Sequence, residues 1–166
     1  MDKRVDKALK ITTPSDFEIV MTREFNAPCR HVFDAMTKPE HFPHWFGCEA
    51  FAVPICEIDL RVGGAYRFVM RSPNGIDSTL RGTYVEVVRP ERVAFTERFS
   101  MPGFTSNEYK VTSTFVEAGG TTTLTTTILH KTKEQRDGHL NSGMEEGAGP
   151  AYDRLAELVA GMASAD

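Results

Sequence analysis

From Phe51 to His130 apolar and polar positions alternate with period two, and the alternation stops wherever Gly, Pro and Asn gather. Such a pattern predicts half-buried strands, at about 52–59, 64–71, 79–88, 92–99, 109–117 and 121–130. The interruptions are turn signals: Ser72-Pro73-Asn74-Gly75, Arg89-Pro90-Glu91, Pro102-Gly103 and Ala118-Gly119-Gly120. Upstream, Phe17 to Phe25 alternates in the same way and predicts one more strand. Asn26-Ala27-Pro28 then opens a helix with a stripe at Val32, Phe33 and Met36, and Lys38-Pro39 begins a second short helix through His41, Phe42 and Trp45. The period changes again after His130. Leu140, Met144, Ala148, Ala151, Leu155 and Leu158 recur at steps of three and four, so Lys131 to Met162 reads as one long helix. Gly143, Gly147, Gly149 and Pro150 disfavour its middle, and the proline is expected to kink it.

This order is an α+β statement: a strand, two short helices, six strands and a long helix, preceded by a flexible lead-in over residues 1–15 and forming a single domain over 16–162. About six to seven strands make a curved antiparallel sheet that one C-terminal helix cannot cover without leaving a hollow. Asp59 and Arg61, two apart on a strand, share a face, and Gly63-Gly64 suits the reversal that follows.

Composition narrows the functional classes. The chain has 166 residues, a net charge of −4 and no basic run, which argues against a nucleic-acid partner. Arg67, Arg71 and Arg81 look scattered, as on a solvated mixed-charge surface. No apolar run approaches the ~20 residues that span a bilayer, and Met1 to Lys7 has no apolar stretch of a secretory signal behind it. Three cysteines, Cys29, Cys48 and Cys56, with no C-x-x-C spacing fit reduced thiols and a cytoplasmic protein.

Trp45-Phe46-Gly47, Asp59-x-Arg61-x-Gly63-Gly64, Gly82-x-Tyr84-x-Glu86 and Pro90-Glu91-Arg92-Val93, in that order, resemble the START-like superfamily. Together with Ser142-Gly143-Met144-Glu145-Glu146-Gly147 and Tyr152-Asp153-Arg154-Leu155, they resemble its branch named after the activator of the ninety-kilodalton heat-shock protein's ATPase, in a stand-alone bacterial form. The resemblance implies a helix-grip fold with a deep apolar cavity, in a superfamily that includes lipid carriers, polyketide cyclases and hormone receptors. In the eukaryotic co-chaperone this type of domain follows a separate N-terminal domain needed for ATPase stimulation. Here about fifteen residues precede the first strand, so chaperone activation is not expected from the resemblance alone.

Three functional readings follow. In the first, a small apolar molecule is held between sheet and helix by Tyr66, Phe68, Met70, Phe95, Met144, Ala148 and Tyr152, with Glu86 as polar contact. Trp45 either caps the mouth of that cavity or anchors its helix on the core. In the second, a cavity carboxylate or tyrosine moves protons on an aromatic or polyketide-like substrate, as in a cyclase or hydratase. In the third, the outer sheet is an interaction module, with a chaperone as one candidate partner. Tyr66, Phe68 and Met70 share a face, as do Phe95, Glu97 and Phe99, and Glu86 is the favoured cavity carboxylate because it sits on an otherwise apolar strand. Asp59 and Arg61 are expected to pair structurally. His31, His41, His44 and Cys48 lie near one another in sequence, but without H-E-x-x-H or a second close ligand pair no metal is expected. No cofactor is expected either, since G-x-S-x-G, P-loop and dinucleotide signatures are missing. His130 and His139 are expected to be exposed, and the protein to be a monomer or homodimer.

Overall fold

The structure, a computed structural model, describes residues 8–47 and 51–166. Nine strands run β1 Lys10–Thr12, β2 Glu18–Phe25, β3 Ala52–Ile58, β4 Ala65–Arg71, β5 Asp77–Val88, β6 Arg92–Met101, β7 Phe104–Thr105, β8 Tyr109–Ala118 and β9 Thr121–Leu129. Helices α1 (Cys29–Thr37) and α2 (Phe42–Phe46) follow β2, while α3 (Lys133–His139), a π-helical turn (Leu140–Met144) and α4 (Glu145–Ser164) end the chain. All strand pairs are antiparallel, in the order β1-β2-β9-β8-β6-β5-β4-β3, with β7 paired to β6 alone. This is the helix-grip arrangement, an open curved sheet with a long helix laid across one face.

The seven long strands and three helical regions match the alternation. Two short strands enlarge the sheet beyond the expected six to seven. β7 is half of a tight hairpin around Pro102-Gly103, and β1 pairs with β2 through Lys10↔Thr22 to Thr12↔Val20, inside the stretch expected to be a lead-in. Three residues are too few for periodicity to register.

The reversal between β3 and β4 is set by close approach. A Cβ on Gly64 would lie 2.0 Å from the Asp59 carbonyl oxygen, and Gly63 has φ +84°. The two glycines then dock on β5: Gly63 N–H donates to the Tyr84 carbonyl (2.8 Å) and Tyr84 N–H to the Gly64 carbonyl (2.9 Å). Arg61 Nε donates to Asp59 Oδ2 at 2.9 Å, an exposed structural pair as expected.

The main core joins both layers. Ala151, Tyr152, Leu155 and Val159 of α4 bury against Phe25, Phe115 and Leu124 of the sheet and Val32 and Phe33 of α1. A smaller cluster lies along the sheet, Ile19, Met21, Tyr109, Val111 and Ile128, with Leu140, Met144 and Ala148 packed on it. The long helix is interrupted at Gly143, with φ +87°, seven residues before the proline expected to kink it. Pro150 is carried inside α4. A left-handed residue reverses the local backbone turn, whereas a proline near a helix start forfeits a single hydrogen bond, so the glycine marks the break.

Candidate functional site

Alternation of side chains places Tyr66, Gly82, Glu97, Tyr109 and His130 on the inner face, and strand register puts them on one rung. Tyr66 is opposite Gly82, Gly82 opposite Glu97, and Glu97 opposite Tyr109. His130 extends the rung just past β9, where its N–H donates to the Phe17 carbonyl (2.8 Å). Gly82 is the gap in the row. A Cβ there would lie 1.7 Å from the Thr96 carbonyl oxygen and 2.8 Å from Tyr66 Oη. Across that gap Tyr66 Oη donates to Glu97 Oε1 (2.8 Å), while Tyr109 Oη donates to Glu97 Oε2 (2.7 Å). Each carboxylate oxygen is therefore held by one phenol and retains a lone pair for a further donor.

Burial raises the Glu97 pKa above the ordinary glutamate value, and the Tyr109 and Tyr66 hydrogen bonds partly offset it. Burial and the neighbouring Glu97 push both tyrosine hydroxyls upward, so they remain protonated donors. Beyond Tyr109 lies a histidine pair. His130 Nε2 and His139 Nδ1 are 2.9 Å apart, and both rings pack on Tyr109 at centroid distances of 4.9 and 5.0 Å. Burial, then the other ring, depresses His139 to about 4, while burial and Arg136 lower His130. His130 Nδ1 is buried without a hydrogen-bond partner. The sequence reading placed both histidines at the surface, but α3 folds back over the end of β9 and covers them.

Around Glu97 the inner face is incompletely covered. Met70, Leu80, Phe95 and Phe99 on the strands, and Leu140, Met144 and Ala148 on the helical side, are all only half-buried, as is Glu97 itself. The opposite half is solid core. The expected wall residues thus divide into two groups. Phe95, Met144 and Ala148 reach the second cluster beside the rung, and Met70 lies on the same face toward the end of β4. Trp45, Phe68 and Tyr152 instead belong to the closed core, and Tyr66 bridges the two regions. Trp45 is an anchor: its Nε1–H donates to the Ala35 carbonyl at 2.8 Å, and its ring meets Phe42, Phe46 and Tyr152 edge-on.

Glu86 does not reach this face. A bulge at Val85, between the Tyr84↔Phe95 and Glu86↔Ala94 pairs, shifts the phase of β5 by one residue. Val87 consequently packs on the core, and Glu86 stays 41% exposed, paired with Arg92. The inner-face carboxylate is Glu97, whose sharing of a face with Phe95 and Phe99 was legible, but whose placement between two tyrosines was not.

The rung next to Glu97, on the outer face, is cationic. Glu57, Arg67, Arg81 and Arg98 are successive cross-strand partners, with Arg67 on Glu57 (3.1 Å) and Arg98 near Glu108 (3.9 Å). They line an outer concavity of about 620 Å³. A second, of about 470 Å³, lies between Ile11–Thr13 and the Leu140–Glu146 turn. The arginines that look scattered along the chain are thus in part aligned.

Among the described residues no group of three or more His, Cys, Asp or Glu is placed to hold a metal ion. His31 Nε2 instead meets Asp166 Oδ2 at 2.7 Å, and Cys48 lies outside the described residues. Burial pushes the Cys56 thiol up to about 11 and raises Cys29 as well, the reverse of nucleophile activation. No helix among the described residues is long and apolar enough to cross a membrane.

The sequence profile described as "Activator of Hsp90 ATPase homolog 1-like protein" matches residues 26–160. A crystal structure of a Rhodobacter sphaeroides protein is similar with TM-score 0.86 and 25% identity, covering 93% of this chain and 99% of its own. A solution structure from Staphylococcus epidermidis has TM-score 0.77 and 26% identity, covering 92% and 94%. Protein Ms6760 from Mycobacterium smegmatis, at TM-score 0.81 and 23% identity over 93% and 99%, shares the fold. No curated protein matches.

Proposed function

The chain belongs to the Activator of Hsp90 ATPase homolog 1-like family, within the START-like superfamily, and we propose that it binds a small apolar molecule between the inner sheet face and the Leu140–Ala148 segment. One observation carries this reading. The inner face is tightly filled under α4, yet beside the Gly143 break it keeps half-buried aromatic and aliphatic side chains around a carboxylate that two tyrosines hold in place. Ligand sites have this make-up, a mostly apolar wall with a few fixed polar groups.

Native mass spectrometry of the purified protein, followed by a denatured run on the same sample, tests for a co-purifying molecule directly. Titration with the neutral dye Nile red tests the groove. We expect saturable binding that Ala148→Trp abolishes while thermal unfolding stays cooperative. Dye uptake unaffected by Ala148→Trp would refute the site.

A second reading, proton transfer in a cyclase- or hydratase-type reaction, is favoured by Glu97. Its raised pKa and its placement on the groove suit a general acid or base. With a substrate found by mass spectrometry, Glu97→Gln would lower turnover by ~10²–10⁴ under this reading. A binding protein would show no turnover to lose.

A further inference from the structure

Glu97 is a carboxylate with two phenols for partners and no counter-ion. The hydrogen bonds that reach it come from Tyr66 and Tyr109, and neither an arginine nor a lysine enters its surroundings among the described residues. Its cationic neighbour in sequence, Arg98, faces the other side of the sheet and lies near Glu108. The two histidines beyond Tyr109 are shifted toward the neutral form, His130 by burial and Arg136, and His139 by burial and His130, so they supply little positive charge. Even a half-buried carboxylate is costly without a cation, and two neutral donors compensate only in part. The walls add a second feature. Tyr66, Phe95 and Tyr84 pack edge-on or tilted on one another at centroid distances of 5.2 to 5.8 Å, and Tyr66 and Tyr84 lie close enough to Glu97 to feel its charge, so the carboxylate has an aromatic surround. A carboxylate framed by aromatic rings is complementary to an ammonium group and hostile to an anion.

We infer that the groove selects an apolar molecule bearing a cationic amine, whose ammonium hydrogen-bonds the unused lone pairs of Glu97 between Tyr66 and Tyr109. The inference rests on the apolar-groove reading above and names the chemical class of its ligand. An amine brings both the missing charge and donors that point along the free lone pairs. A fatty or aromatic acid would set two carboxylates against each other, and an alcohol would bring a donor without the charge.

The test is displacement of Nile red from the full chain by n-decylamine, n-decanol and n-decanoate, each below its micelle concentration at about pH 7.5. These share one tail, so differences report the head group. We expect the amine to displace dye at a concentration about tenfold or more below that of the acid, with the alcohol between. In Glu97→Gln the amine should lose its advantage over the alcohol. Attraction of the amine to the acidic surface is separated by repeating the wild-type series at about 0.5 M NaCl, where exposed charges are screened and a buried pair is not. The preference should persist there, and this arm needs no variant to fold. An amine no better than the alcohol, a preference that survives Glu97→Gln, or one that vanishes in salt would overturn the inference and leave the apolar groove standing. Failure of every head group to displace dye, or of dye to bind, would overturn both.

Discussion

Gly82→Ala puts the geometry of the Glu97 rung at risk in a way that can be worked through. The added Cβ would sit 1.7 Å from the Thr96 carbonyl oxygen, a backbone atom of the neighbouring strand, so relief requires β5 and β6 to separate locally. It would also sit 2.8 Å from Tyr66 Oη and push the phenol off Glu97. Overpacking of this kind costs about 1–3 kcal/mol. Losing a hydrogen bond to a charged acceptor adds about 1.5–3 kcal/mol. Together these reach roughly 2.5–6 kcal/mol, a large part of the 5–15 kcal/mol typical of a domain. For a chain of this size that corresponds to a fall in Tm of roughly 5–24 °C. Tyr66→Phe isolates the second contribution, because it removes the hydroxyl and keeps the ring. Gly147→Ala is the control: it is helical, a Cβ there meets nothing within 4 Å, and it should stabilise by about 0.5–1 kcal/mol. Urea unfolding followed by circular dichroism reads all three. A Gly82→Ala midpoint equal to wild type at unchanged m would show that the strands yield at no cost, and the account of this rung would be wrong.

Three further outcomes follow from the same structure. His139 falls from 6.5 to about 4 on folding, so below about pH 6.5 the unfolded chain binds the extra proton and stability is lost as pH drops toward 4, by about 2–3 kcal/mol. The raised Glu97 pKa acts in the opposite sense, hence the measurement is the difference between the wild-type and His139→Gln urea midpoints at pH values of about 4.5 and 7.5; equal slopes would exclude a neutral buried His139. Arg23 is 3% exposed and its Nη1 donates to Asp153 Oδ1 at 2.6 Å, while Asp153 is 71% exposed. Asp153→Ala should therefore cost about 1–2 kcal/mol by leaving a buried guanidinium without its carboxylate, discounted for solvent on the aspartate side, and adding Arg23→Met should recover most of it in the urea midpoint. Glu86→Ala, on the outer face, should leave Nile red affinity within twofold and stability within about 0.5 kcal/mol; a tenfold loss of dye binding would return Glu86 to the groove.

Strand phase, turn positions and the helical stripe are properties of neighbours in sequence, and the chain alone determined them. The period-two runs located every long strand, Gly63-Gly64 located the β3–β4 reversal, and the spacing of Leu140 to Leu158 located the terminal helix. The family follows from motifs of the same local kind. What sits beside what across the sheet is another matter. Tyr66, Gly82, Glu97 and Tyr109 are separated by 12 to 16 residues at each step, and register, set by packing and by turn length, brings them onto one rung. A single bulged residue, Val85, reversed the inward reading of Glu86, because one extra residue in a strand inverts the face of everything after it. Burial of His130 and His139 depended on where α3 folds back, and the helix break fell at the left-handed Gly143 while Pro150 is carried inside α4. Local periodicity carries the elements; the polar site belongs to the register, which exists only once the strands have paired.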